Sequence, residues 1–231
     1  MKTFEQIINE NSSAIQKIVD FDLKQDQLLP FDFTVSNLEL TDAILNDTDS
    51  FSEWINQKLI AAKARYGIGG YNEHRTIYSR SAHFSSVEEP RRLHLGVDIW
   101  GEAGTSIYNF YDAEVHSFAN NNAFGDYGAT IILVYNIEGF KFHALYGHLN
   151  LASINHLKVG KMISAGEKIA ELGTKEENGN WPSHLHFQLV KNIENYEGDY
   201  PGVCKFSERN QYLANCPDPN IILNFTFNGQ Q

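Results

Sequence analysis

The stretch His184-Leu185-His186-Phe187-Gln188-Leu189-Val190 constrains this chain more than any other. From His184 to Leu189 polar and apolar residues alternate, which is the period of a β-strand and of no helix. Leu185, Phe187 and Leu189 are expected to face a core, leaving His184, His186 and Gln188 together on the other face. Two imidazoles two residues apart on one face can serve one metal ion. Equally, they can sit exposed on a plain strand.

Two upstream stretches repeat the pattern. Leu93, Leu95, Val97 and Ile99 alternate with His94, Gly96 and Asp98. As a strand this puts His94 and Asp98 on one face, with Gly96 between them leaving room for an ion. In the second stretch Phe142, Ala144, Tyr146 and His148 share a face, and His143 falls on the opposite one, away from any site. A carboxylate and three imidazoles converging from separate strands would suit a metal-dependent hydrolytic site.

The order H-x-x-x-D, then Y-x-H-L, then H-L-H-F resembles the lysostaphin/LytM-type zinc metallopeptidases, the peptidoglycan endopeptidase family. The resemblance runs from about Leu93 to Val190. Within it, Gly104-Thr105-Ser106-Ile107-Tyr108 looks like the family's turn after the first ligands. Val159-Gly160 through Ile169-Ala170 looks like its V-G-x-x-V-x-x-G-x-x-I-A hairpin, with Ile163 in place of the second Val. The resemblance implies a mainly β (α+β) fold, an antiparallel metallopeptidase sheet with a groove. It implies one zinc per chain held by His94, Asp98 and His186, with His148 and His184 catalytic. Tyr146, Trp181 and Arg75 are the candidate substrate contacts, although Trp181 also reads as a core-edge residue.

A length of 231 residues suits one domain with an appendage or at most two small domains, and 42% hydrophobic with 20% charged residues reads as globular. A formal charge of −11 disfavours a phosphate-binding surface, so no nucleic-acid partner is expected. The start shows no basic segment followed by an apolar one, and the run Ala129–Tyr135 is far too short to span a bilayer. The expectation is therefore a cytoplasmic protein with no membrane partner, and with Cys204 and Cys216 as free thiols.

Residues 4–20 and 51–65 read as helices, the second capped by Asp49 or Ser50 and ended by Gly67. Residues 29–40 read as an irregular extended segment, and 1–66 together as a helical appendage. Residues 67–92 read as a connecting surface loop or a flap over the groove. As a flap, it lets Asn72 or His74 reach the metal and Arg75 bind a substrate carboxylate bidentately. His83, His116 and His156 read as ordinary histidines, and Gln188 as a surface residue or a support for the site. The domain itself is expected over 93–191, with Ala129–Tyr135 as a central strand paired to Lys141–His148 across a turn at 136–139. Asn120–Gly128 and Thr174–Ser183 are expected to be groove loops, and 192–231 an irregular tail.

That tail, with Asn178-Gly179-Asn180-Trp181-Pro182, looks more like a subgroup sometimes fused to a kinase-like domain and a class III aminotransferase. This adds a functional association with an aminotransferase pathway and a small amide to the expected substrates, beside peptides and muropeptides. Two rivals remain. Two histidines and a carboxylate also form the facial triad of non-haem iron oxygenases, and such a fold can serve as a non-catalytic zinc or peptide-binding module.

Overall fold

The computed structural model describes residues 2–22, 24–81, 84 and 89–226. The fold is mainly β. Its strands are β1 (Leu28–Phe31), β2 (Tyr66–Gly69), β3 (Leu93–His94), β4 (Val97–Trp100), β5 (Ser106–Tyr108) and β6 (Ala113–Asn121), followed by β7 (Gly128–Ile137), β8 (Phe140–Leu149), β9 (Met162–Ile163), β10 (Lys168–Glu171), β11 (His184–Val190) and β12 (Val203–Cys204). Eight of them form one sheet in the order β1-β2-β4-β11-β8-β7-β6-β9. Its pairs are antiparallel except β1–β2. The helices are α1 (Phe4–Glu10), α2 (Asp42–Leu45), α3 (Thr48–Ala62), α4 (Arg209–Asn215) and α5 (Asn220–Leu223).

β11 lies mid-sheet, between β4 and β8. As its alternation requires, Leu185, Phe187 and Leu189 pack into the main core with Val97, Ile99, Ala144 and Tyr146. The opposite face is covered as well, so every residue of β11 is buried. β7 and β8 are joined by Glu138–Gly139, both at positive φ (52° and 83°), as a two-residue hairpin turn that follows the strand twist demands.

Several expected boundaries move. The first helix stops at Glu10, short of residue 20, because Asn11-Ser12-Ser13 interrupts it and the β-branched residues beyond pack in extended form. Gln16 N donates to Phe110 O, Tyr108 N to Ile18 O, and Val19 bridges Ile107. The second helix begins earlier than residue 51: Asp47 caps it through Ser50 N (2.7 Å), and Lys63 ends it in the left-handed region. Gly67 is instead inside β2, where a Cβ would strike the Phe31 ring. Residues 66–69 are thus a buried strand of the main sheet, although 67–92 was expected as a loop or flap. β1 joins the same sheet, and apolar residues of segment 1–66 enter the same clusters as the central strands. Residues 159–170 do not close into their own hairpin, since β9 pairs with β6 and β10 with β5. The tail is more ordered than expected: β12 pairs with β3, and α4 and α5 follow.

Candidate active site

Strand register assembles the site. Asp98 on β4 and His186 on β11 are directly opposite partners, as are Trp100 and His184, so their side chains emerge side by side from one face. His94 ends β3, just before the chain re-enters the sheet at β4. The result is a triangle of donor atoms. His94 Nε2 is 3.0 Å from His186 Nδ1 and 3.2 Å from Asp98 Oδ1, and His186 Nδ1 is 3.1 Å from Asp98 Oδ1. All three residues are buried, and among the described residues they form the group of His, Cys, Asp and Glu side chains close enough to hold a metal ion. Three N/O donors bonded tetrahedrally to zinc at about 2.0–2.2 Å would lie about 3.3–3.6 Å apart, close to this spacing.

The outer edges of the two imidazoles decide their protonation. His94 Nδ1 is 2.8 Å from Gly70 O, a carbonyl that can only accept, so Nδ1 carries the proton. His186 Nε2 is 2.9 Å from Gln188 Oε1. Gln188 Nε2 is turned to Pro201 O (3.1 Å) and Cys216 Sγ (3.4 Å), which leaves its oxygen to accept from His186. Both inner nitrogens therefore present lone pairs toward each other and toward a carboxylate oxygen. Three mutually facing lone pairs with no proton between them repel, and a cation at their centre removes that repulsion. The residues fit a divalent ion of the zinc type.

The charge states agree. Burial and then the Arg75 charge push the His94 pKa down to about 3. For Asp98, burial opposes ionisation, but its charged surroundings, with the Arg75 guanidinium the partner that stays charged, outweigh it and hold the carboxyl well below its usual range. Burial lowers His184 to about 4 and holds His148 well below its ordinary value.

His148 and His184 lie beside the triangle, their rings 4.1 Å apart. Each donates Nδ1–H to a backbone carbonyl, Asn178 O and Pro182 O, both at 2.8 Å. Each therefore keeps an unprotonated Nε2. His184 is stacked on Trp100 at 3.9 Å, which fixes its ring plane. His148 reaches the site by a route that alternation does not foresee. Between Ala129 and Ile131 the β7–β8 register shifts, Ala129 facing Leu149 but Ile131 facing Tyr146. β8 thus carries one extra residue, and His148 adopts φ +62°. The bulge turns His148 to the face opposite Tyr146.

Tyr146, expected in the groove, is consequently in the core, wholly buried with its hydroxyl 2.7 Å from that of Tyr135. Trp181 does line the cavity over the triangle, which measures about 250 Å³ and is also walled by Tyr78, Tyr127 and the 199–203 stretch. Arg75 lies under this cavity with no exposure. Its nitrogens hold Asp98 Oδ2, Glu73 Oε2 (2.6 Å), Tyr78 OH (3.2 Å) and Gly70 O (3.2 Å). It does not present the free fork expected for a substrate carboxylate.

Asn72 and His74 do not join the triangle: Asn72 Oδ1 accepts from Arg209, and His74 is exposed against Phe206. Gly96 leaves room for the His186 ring rather than for an ion, since a Cβ there would sit 2.7 Å from His186 Cε1. Gln188 is fully buried rather than on the surface. His143 is away from the site, its ring 5.0 Å from that of His116, His156 is exposed, and His83 is outside the described residues. The residues that sequence reasoning missed are Tyr78 and Tyr127, for which no local pattern exists, and the carbonyls of Gly70, Asn178 and Pro182.

A family model described as peptidase family M23 matches residues 92–197. No curated protein matches the chain. Among solved structures, the chain is similar to the catalytic domain of the antimicrobial peptidase lysostaphin from Staphylococcus simulans, at 22% identity over 75% of this chain and 98% of that one, with a TM-score of 0.43. It is similar to LytU at 25% identity over 55% and 70%, with a TM-score of 0.38. A zinc-containing peptidase from Vibrio cholerae aligns at 25% identity over 42% of this chain and only 27% of its own length, with a TM-score of 0.34. The ordered motifs, the strands that carry them and the matched model lead to one assignment: residues 92–197 of this chain form a lysostaphin/LytM-type domain of peptidase family M23.

Proposed function

We propose that the protein is a zinc-dependent peptidase or amide hydrolase acting on short peptides, muropeptides or small amides. The observation that carries this is the meeting of three buried lone pairs 3.0–3.2 Å apart, with the outer ring N–H groups held by oxygen acceptors. His94, Asp98 and His186 would hold the ion. When bound, it supplies Lewis acidity toward a scissile carbonyl and acidifies water.

The chain's own residues do the rest. His148 and His184, neutral with Nε2 unprotonated, can accept the proton released as water attacks and return it to the leaving amine. Carbonyl acceptors at Nδ1 keep both rings in that tautomer and stabilise the imidazolium form. This pair favours hydrolysis over a non-catalytic module, which has no use for two bases beside the ion. The cavity of about 250 Å³ is smaller than a usual ligand pocket, about 300–1,000 Å³. That size favours a short substrate over a cross-linked polymer.

The test has two arms. Elemental analysis of protein purified without added metal is expected to find one zinc per chain, lost in His94→Ala, Asp98→Ala and His186→Ala. Iron in its place would support an oxygenase. Full-length protein is expected to cleave short soluble muropeptides or amides in preference to intact sacculi. Efficient sacculus lysis would overturn the small-substrate reading.

A further inference from the structure

We propose that Arg75 is a positioning residue that restricts Asp98 to one donor oxygen, keeping a coordination position of the ion open for substrate. The proposal rests on the metal-centre reading above and concerns a side chain outside the 92–197 stretch that the family model covers. The two oxygens of Asp98 have separate partners. Oδ1 meets His94 Nε2 and His186 Nδ1, whereas Oδ2 takes a hydrogen bond from Arg75 Nη1. A carboxylate next to a metal can bind through one oxygen or swing to bind through both. The second mode would fill the position that a hydrolytic ion needs free.

Arg75 cannot follow such a swing. Its guanidinium is wholly buried and anchored at three other points: Glu73 Oε2 at 2.6 Å, Tyr78 OH at 3.2 Å and Gly70 O at 3.2 Å. It also lies over the Phe33 ring at 5.1 Å. Gly69 makes the fit: a Cβ there would stand 2.6 Å from Arg75 Nη2. The Gly70 carbonyl accepts from Arg75 and, at 2.8 Å, from His94 Nδ1. One short segment, 69–78, therefore orients two of the three candidate donors. Lysine could supply the charge but not the planar fork that ties these anchors together.

Cobalt(II) reports on the geometry directly, because its visible absorption is strong when four-coordinate and several-fold weaker with more ligands. Chelator-stripped wild type, Arg75→Met and Arg75→Lys would be loaded with cobalt(II) alone and their spectra recorded. Wild type is expected to show the strong band, Arg75→Met a several-fold weaker one and Arg75→Lys an intermediate one. With zinc restored, kcat of Arg75→Met on a peptide that the wild type cleaves is expected to fall by about 10–100-fold with KM little changed, the usual scale for a support behind a metal ligand. One-to-one cobalt binding by Arg75→Met with the wild-type spectrum would overturn the proposal while leaving the metal centre intact. If Arg75→Met does not fold, Glu73→Gln, which frees the Nε anchor, must weaken the band in part. Unchanged spectra in Glu73→Gln and Arg75→Lys would equally overturn the proposal. Failure of the wild type to bind cobalt would instead overturn the metal-centre reading, and this inference with it.

Discussion

Replacing Gln188 with Met tests whether the tautomer of His186 is what prepares the site. The side chain keeps its length and loses its acceptor. In the native protein Gln188 Oε1 takes the His186 Nε2–H at 2.9 Å, while its amide holds Pro201 O at 3.1 Å, and Gln188 is fully buried. Without the acceptor, the imidazole has two options. It can keep Nε2–H buried and unpaired, at about 1–3 kcal/mol. Otherwise it can move the proton to Nδ1, which removes the inner lone pair altogether. The metal-free variant settles on the second option and zinc binding must restore the first, so affinity falls by about 1.4–2.7 kcal/mol, equivalent to the 10–100-fold weakening usual for such supports. The metal-free protein is expected to melt lower as well, by about 2–4 °C for each kcal/mol lost in a chain of this size. Competition against a colorimetric chelator measures the affinity, and circular-dichroism melts in excess chelator measure the second effect. Gln188→Glu restores an acceptor and is expected to recover most of the affinity. Wild-type zinc affinity in Gln188→Met, with the protein folded, would refute the tautomer argument.

Three further outcomes are expected. His148→Ala and His184→Ala should retain stoichiometric zinc yet lose about a hundredfold or more in kcat, the scale of a general acid–base group; loss of metal from a folded variant would mean that the histidine is a ligand. Gly96→Ala should displace His186, because its Cβ would lie 2.7 Å from both His186 Cε1 and Phe187 O, and elemental analysis should find the zinc content reduced. Burial, and then the neighbouring His116, push the His143 pKa from 6.5 down to about 4, so the native state favours its neutral form. That contribution to stability is fully present above pH 6.5 and is lost as the pH falls from 6.5 toward about 4. Melting temperatures of His143→Gln should accordingly decline less than wild type across that window, and parallel curves would count against the assignment.

No helix among the described residues is long and apolar enough to cross a membrane. The sheet instead gains its length from the N-terminal segment, through β1 and β2, which border the site on the β4 side. Residues 69–78 then turn back beneath the triangle, so the site draws on a part of the chain beyond its matched domain.

What the sequence by itself determined is what the strand pleat determines. Alternation over 184–190 places His184, His186 and Gln188 on one face because the side-chain period of a strand is two, and the same rule aligns His94 with Asp98 even though Leu95–Gly96 divides β3 from β4. What alternation could not supply is any departure from that period. The extra residue in β8 turns His148 toward the site and leaves Tyr146 in the core, and the need for it arises only when β7 and β8 pair. Nor could local pattern reveal the partners behind the imidazoles. The acceptors for His94, His148 and His184 are backbone carbonyls of Gly70, Asn178 and Pro182, and every residue has a carbonyl, so no side-chain signature marks them. Arg75 reads as a substrate contact on a surface loop or flap, and Gln188 as a surface residue or a support for the site, because polar side chains are usually exposed. Only the tertiary structure, by covering the second face of β11 with residues of the 66–81 and 196–216 segments, buries them and gives each a candidate ligand to hold.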